Sequence, residues 1–366
     1  MNETADIIVI GGGIAGISAA ARLSADARVI ILEMEDAPGR HATGRSAAIF
    51  VRNYGNATLR ALNAASDPEL QNPGEIAEET ILSPRGEMMI AIEAELDAFN
   101  AYLDGSSGME RTDPDDAVVR FPLLRRERIA AAAIEHDAQD IDVDRLLQGF
   151  ARLTRHNGAT IVTDAPAERL TREGSIWRVE TPKGVFESPL VVNAAGAWAD
   201  VVAERTGVKK IGLVPMRRSA TILPVPDGLD VRTWPFVVSA SETWYAKPDV
   251  GKLMVSPADE DPTEPHDTWP DDMVLAEELD RFEQAVTMQV TRVERSWAGL
   301  RSFVSDRIPV VGYAPDADGF FWLAGQGGYG VQTSPALSRL AANLCLKRSP
   351  ALPNEIVAAL DPARFA

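Results

Sequence analysis

The chain opens with a short run of aliphatic residues that gives way abruptly to glycine. Asp6 to Ile10 (DIIVI) has the continuous β-branched character of a strand buried on both faces of a parallel sheet. Ile14 to Leu23, rich in Ala and ending near Ser24, reads as a helix whose small residues allow close packing on that sheet. Val29 to Leu32 is a second buried strand, ending at Glu33, so the first 33 residues form a βαβ unit. From about Ile49 to Gln139 the pattern changes to mixed helical stretches with several Pro and Gly and no strand-helix alternation, and it reads as an insertion. The first pattern returns with a helix over Val143 to His156, a strand over Ala159 to Thr163, a hairpin from Ile176 to Glu180 and Val185 to Glu187, and a buried strand over Leu190 to Asn193. Short β-rich pieces from Leu213 to Val255, set around Pro224, Pro226 and Pro235, predict an antiparallel sheet. Phe320 to Ala324 is a last buried strand, followed by a glycine cluster and a helix from Gln332 to Lys347.

Composition narrows the class. A length of 366 residues suggests two domains, and 45% hydrophobic with 25% charged residues is ordinary for a globular protein. The net charge of −18 argues against nucleic acid as a partner, since phosphate binding needs clustered Lys and Arg. Residues 249 to 283 hold twelve acids against Lys252 and Arg281, a charge run expected to be a solvated face. The single Cys345 excludes an intramolecular disulfide and reads as a buried structural thiol. With no apolar run of about 18 or more residues, no transmembrane segment is expected and a cytoplasmic location is. Acids near the start, where a secretory segment would carry Lys or Arg, argue against a signal peptide. The four His residues show no metal-ligand spacing, so no metal is expected.

Gly11-Gly12-Gly13-Ile14-Ala15-Gly16 fits G-x-G-x-x-G, and Glu33 follows 22 residues after Gly11 at the end of the next strand. In such a turn Gly11 makes the tight bend, Gly13 lets a pyrophosphate approach, Gly16 packs helix on sheet, and Glu33 accepts hydrogen bonds from ribose hydroxyls. The helix N-terminus adds N–H groups and partial positive charge. Two later strands also end in small residues, at Asn193 to Trp198 and at Gly325 to Gly330. Three such strand ends spread over 330 residues suit one long cofactor better than the contiguous block of a nicotinamide domain, so the dinucleotide is read as FAD. A helix starting near Gly328 would stabilise negative charge on the reduced flavin.

These features, with His41 to Ala48 (HATGRSAA), Leu82 to Met88, Arg217 to Ala220, Trp297 to Phe303 and Gly325 to Thr333, resemble the D-amino-acid oxidase superfamily of FAD enzymes. Within it the similarity is greatest to the D-arginine dehydrogenases, and it runs in order along almost the whole chain. The resemblance implies an α/β fold with a doubly wound FAD-binding domain from residues 1–48, 140–212 and 296–366. A second α+β substrate domain with an antiparallel sheet would come from 49–139 and 213–295. It implies FAD held without a covalent bond, with His41 the first suspect should the flavin be tethered. Cofactor contacts carry over to Gly11, Gly13, Ile14, Ala15, Gly16, Glu33 and Met34, then to Gly44, Arg45, Ser46, Ala47 and Ala48. Further along they fall on Ala167, Ala195, Gly196 and Trp198, and last on Gly327, Gly328, Tyr329, Gly330, Val331 and Gln332.

The implied reaction oxidises a D-amino acid to an imino acid, which hydrolyses to a 2-oxo acid and ammonia. A carboxylate must be held in a fixed plane, which a guanidinium does bidentately. Arg218 and Arg301 match the family's arginines, Tyr54 and Tyr245 its substrate-facing phenols, Gly328 a carbonyl facing the amine, and Glu87 a carboxylate facing a cationic side chain. Where the arginine-type pattern has His and Thr, this chain has Ile49 and Val51, which leaves room for a more apolar or N-substituted substrate, and Phe236 and Val238 are expected to narrow the pocket further. The expected partners are a small D-amino acid and an electron acceptor left open between oxygen and a quinone. A glycine or sarcosine type oxidase of the same superfamily is the alternative enzyme. A FAD-bearing accessory subunit without turnover is the alternative outside enzymes.

Overall fold

In a computed structural model that describes residues 2–365, the opening pattern folds as read: strand Ile7–Ile10, helix Ile14–Leu23, strand Val29–Leu32. These strands belong to a six-stranded sheet in the order Thr160–Val162, Val29–Leu32, Ile7–Ile10, Leu190–Asn193, Phe320–Ala324, Val310–Tyr313. The first five are parallel and the last is antiparallel to its neighbour. Side chains alternate across a strand, so Ile7 and Val9 enter one apolar layer while Ile8 and Ile10 enter the other. That is why the strands read as unbroken hydrophobic runs. Helices Ile14–Leu23, Val143–His156 and Gly330–Cys345 cover the first face. Helix Ala199–Thr206 and a four-stranded sheet of Asn2–Thr4, Gly184–Ser188, Ile176–Thr181 and Arg169–Glu173 cover the second.

The region read as an insertion does not stand alone. Its strands Glu87–Ala91, Met109–Thr112 and Ala131–Glu135 join the later β-rich pieces in one large mixed sheet, through a parallel pairing of Glu87–Ala91 with Phe236–Ser239. The long antiparallel pair Val214–Leu223 and Arg295–Phe303 belongs to this sheet as well. The expected segment boundary at residue 296 thus falls inside a strand, and the boundary at 139/140 falls inside the small strand Gln139–Ile141. The predicted final helix starts earlier than expected, at Gly330 with Tyr329 as its cap residue, because the Thr333 N–H closes the first turn on the Tyr329 carbonyl. A short helix, Asn354–Leu360, follows it where the hydrophobic pattern gave no signal.

The acidic stretch departs from its expected solvated face at one point. Asp259 is buried and accepts both the N–H and the hydroxyl of Ser219, at 2.6 and 2.8 Å. Its backbone carbonyl accepts from the Arg218 guanidinium, so it lies against the large sheet and not in solvent. The side chain of Glu278 in that run lies outside the described ones.

Candidate active site

A long cleft runs along the C-terminal ends of the parallel strands, where open α/β sheets bind ligands. At one end Gly11 takes φ +108°, and a Cβ there would stand 2.4 Å from the Ala194 carbonyl oxygen. Only glycine lets the ends of strands Ile7–Ile10 and Leu190–Asn193 approach so closely. Gly13 caps the following helix with no side chain, and the Ile14 N–H goes to the Thr43 hydroxyl at 3.0 Å. Glu33 is buried on the same wall, accepting the Gly12 and Glu35 N–H groups at 2.5 and 2.8 Å, and burial raises its carboxyl above the usual range. Helix Gly330–Cys345 also begins on this cleft without a side-chain cap, so two helix N-termini converge there. Each brings uncancelled positive potential to whatever the cleft holds.

The inner end of the cleft opens into a second, smaller pocket under the large sheet. Arg301, from strand Arg295–Phe303, stands between the two. Its guanidinium lies 3.4 Å from the Tyr54 hydroxyl and 3.4 Å from that of Tyr245, at the long limit of a hydrogen bond. Gly328 backs it so closely that a Cβ would come within 3.0 Å of the guanidinium. Among the described residues no carboxylate pairs with Arg301, whereas Arg218 already donates to the Asp259 carbonyl at 2.7 Å and to Glu260 at 2.9 Å. The two phenols respond differently. Burial raises the Tyr54 hydroxyl, while at Tyr245 burial is outweighed by Arg301 and Arg218, which lower it.

Glu87 closes the far side of this pocket. It is 4% exposed, and one of its oxygens has no hydrogen-bond partner. Burial raises its carboxyl well above the usual range, and the neighbouring Glu135 and Glu242 push it further. The same pocket is lined by the apolar side chains of Ile49, Val51, Met89, Phe236 and Val238, together with Tyr102, Glu242 and Gln332. Three residues around the rim, Ala48, Glu242 and Ala258, hold left-handed backbone with φ of 59°, 51° and 55°. Such strain in non-glycine residues persists only where surrounding packing enforces it.

The arrangement matches a known pattern along nearly its whole length. Residues 6–344 match the family model described as FAD dependent oxidoreductase (DAO). The chain belongs to the DAO family of FAD-dependent oxidoreductases. A curated relative, FAD-dependent oxidoreductase domain-containing protein 1 of Xenopus laevis, is 25% identical over 93% of this chain and 79% of its own. Among solved structures, glycine oxidase from Geobacillus kaustophilus superimposes with a TM-score of 0.86 at 22% identity, covering 99% of both chains. L-proline dehydrogenase from P. horikoshii gives 0.86 at 24%, covering 100% of this chain and 98% of the other. The fold expected from the sequence is therefore that of the DAO family, and its cofactor is FAD.

The cleft fits that cofactor. Besides the glycine turn and the uncapped helix starts, three buried polar atoms that line it, Thr268 Oγ1, Ser302 Oγ and Gln326 Nε2, have no hydrogen-bond partner. Orphaned buried groups of this kind are satisfied by a ligand or water. Of the predicted cofactor contacts, Gly11, Gly13, Ile14, Ala15, Glu33, Met34, Arg45, Ser46, Ala47, Ala167, Ala195, Gly196, Trp198, Gly327, Gly328, Gly330 and Val331 line the cleft. Gly16, Gly44, Ala48, Tyr329 and Gln332 do not. A Cβ on Gly16 would meet the Gly11 carbonyl oxygen at 1.9 Å, so its part is packing, and Gly44 closes a turn on Gly39. Ala48 and Gln332 face the smaller pocket, with the Gln332 amide spent on Val51 and Asn63. Tyr329 packs its ring on Tyr54, centroids 4.7 Å apart.

Arg45 lines the cleft yet donates to the carbonyls of Thr268 and Ala298 and pairs with Asp267, tying the two halves together. His41 lies on the cleft wall, bonded to Glu35 at 2.7 Å and stacked near Trp198. Thr43, Tyr102, Glu242, Asp259 and the three orphaned groups escaped the sequence reading. Ser302 and Gln326 sit inside the very motifs that flagged Arg301 and Gly327, and their neighbours were the available signal. Among the described residues no group of three or more His, Cys, Asp or Glu could hold a metal ion, and no helix is long and apolar enough to cross a membrane.

Gly11→Ala adds a methyl into a left-handed residue at 2.4 Å from a carbonyl. The variant is expected to purify without flavin, read as loss of the flavin's visible absorbance relative to protein.

Proposed function

We propose that the protein oxidises D-amino acids to imino acids, which hydrolyse to 2-oxo acids and ammonia, with basic and apolar side chains both accepted. The observation that carries this reading is Arg301: a guanidinium facing a pocket, with two phenols at hydrogen-bond limit and no carboxylate partner among the described residues. A substrate carboxylate is the missing counter-charge. Tyr54 and Tyr245 would flank that carboxylate and fix its plane, with Arg218 as a second cation. The Glu87 oxygen without a partner would receive an ammonium or guanidinium at the end of a basic side chain, while Ile49, Val51, Phe236 and Val238 would cover an apolar one.

When bound, FAD supplies the acceptor for the two electrons and the hydrogen leaving the α-carbon. The protein's part is to hold the α-carbon in place and to exclude water. Among the described residues no side chain stands out as a base for the amine, so the neutral amine would form by loss of a proton to water before oxidation.

The test is anaerobic mixing with a panel of amino acids, followed by flavin absorbance. D-Arg, D-Lys, D-Met, D-Leu and D-Phe should bleach the flavin and their L-enantiomers should not. Faster reduction by glycine, sarcosine or L-proline would favour a second reading, oxidation of an N-substituted or small amino acid, which the likeness to glycine oxidase and L-proline dehydrogenase supports. Oxygen uptake compared with reduction of a soluble quinone identifies the acceptor.

A further inference from the structure

Strand Ala131–Glu135 ends in a carboxylate that the proposed chemistry leaves unused. Glu135 is 3% exposed and pairs in register with Glu87 on the adjacent antiparallel strand. Opposed residues project from the same face, so the two carboxyls are neighbours. Their surroundings differ. Glu87 lines the pocket with an unpartnered oxygen, whereas Glu135 lines neither the pocket nor the cleft and uses both oxygens. One accepts the Arg52 N–H at 2.9 Å and the other the Asn53 side-chain amide at 2.5 Å. Asn53 is clamped in turn to Ser107, accepting its N–H at 2.8 Å and donating to its carbonyl at 2.9 Å. The next residue is Tyr54, whose hydroxyl faces Arg301.

Burying a carboxylate next to another carboxyl is costly, and the cost persists only where the group fixes something. We infer that Glu135 is a positioning residue: its two acceptor oxygens pin the segment Arg52–Tyr54 and thereby set the Tyr54 hydroxyl against the Arg301 guanidinium. A carboxamide cannot replace it. In Glu135→Gln the new NH2 would face either the Asn53 amide or the Arg52 N–H, donor against donor. The double variant Glu135→Gln/Asn53→Asp restores the match, since the carboxamide introduced at position 135 can then donate to the new carboxylate while its oxygen keeps the Arg52 N–H. Its cost is at residue 53, where a carboxylate oxygen replaces the donor to the Ser107 carbonyl and sets acceptor against acceptor, so the restoration is partial.

The inference rests on the smaller pocket being the carboxylate site, so it is tested with and without turnover. In the flavin-loaded protein, an aromatic carboxylate, anthranilate, is titrated by its perturbation of the flavin spectrum. Its Kd should rise at least five-fold in Glu135→Gln and recover part of that loss in the double variant. Hydrogen exchange at the Arg52 amide should speed at least ten-fold in the single variant. With substrates, kcat/KM should fall by the same factor for D-Lys and D-Leu, because the carboxylate is common to both. A Kd within two-fold of wild type in Glu135→Gln overturns the inference, as does a loss confined to basic substrates, which would mean that Glu135 acts by charge on Glu87. If no amino acid bleaches the wild-type flavin, the proposed function falls while the titration and exchange still decide the part played by Glu135. Should Glu135→Gln not retain flavin, Glu135→Asp, too short to reach both donors, is read in the same way.

Discussion

Arg301→Met should leave a yellow protein whose flavin no amino acid reduces at a useful rate. The FAD cleft keeps its glycine turn, its helix starts and Glu33, so cofactor content should match wild type. What disappears is the only cation in the pocket without an acidic partner among the described residues. Truncating one member of a shielded, hydrogen-bonded charge pair costs about 2 to 5 kcal/mol, or roughly 30- to several-thousand-fold in kcat/KM. Anaerobic stopped-flow reduction measures it directly. Arg218→Met should cost less, because Arg218 shares its guanidinium with the Asp259 carbonyl and Glu260 before any substrate arrives. Equal reduction rates in Arg301→Met and wild type would make Arg301 a structural residue.

Glu87→Leu should divide substrates by class. Losing a charged hydrogen bond is worth roughly 1.5 to 3 kcal/mol, so kcat/KM for D-Arg and D-Lys should fall about 10- to 150-fold, while D-Leu and D-Met hold or improve. The same variant should be more stable than wild type, since a buried carboxyl with an unpartnered oxygen is replaced by hydrocarbon. The pH dependence of that gain has a definite sign. Burial, with Glu135 and Glu242 beside it, raises the Glu87 carboxyl in the folded state, so between the ordinary carboxylate range and the raised value the folded chain binds more protons than the unfolded one. Wild-type stability therefore declines with rising pH across that window, and the advantage of Glu87→Leu widens. Melting temperatures at mildly acid and mildly alkaline pH measure it. A uniform loss over all substrates would show that Glu87 holds the pocket's shape and does not select charge.

The parallel sheet was readable because four of its strands, Ile7–Ile10, Val29–Leu32, Leu190–Asn193 and Phe320–Ala324, are buried along their whole length and so read as unbroken apolar runs, three of them ending within three residues of a glycine. The cofactor wall was readable for the same reason, through Gly11 and its neighbours. Tyr54, Tyr245 and Glu87 were reached only through family likeness, because nothing local distinguishes a tyrosine that faces a guanidinium from one that fills a core. Asp259 was hidden by its setting: a carboxylate in a run of twelve acids gives no sign that one of them turns inward to Ser219. Glu135 was hidden by register, since its opposition to Glu87, 48 positions earlier, depends on the pairing of two strands that are distant in sequence. Part of the large sheet reads as an insertion because its strands arrive in two blocks, and the parallel contact of Glu87–Ala91 with Phe236–Ser239 that unites them leaves no pattern in either block.

The order of strands in the parallel sheet also governs how the molecule comes off the ribosome. Leu190–Asn193 sits between Ile7–Ile10 and Phe320–Ala324, so the sheet's centre cannot be completed until residue 324 has been added. Until then one edge of Leu190–Asn193 lacks its neighbour, and Val191 and Val192 lack the covering that the last strand and helix Gly330–Cys345 provide. The glycine cluster at residues 325–330 that lines the cleft emerges later still. The complete lining of the flavin cleft is consequently present only after Val331 has emerged. Between the emergence of Asn193 and that of Phe320 the nascent chain carries an exposed apolar edge, the kind of surface that holding chaperones recognise and that favours inclusion bodies when expression outruns them.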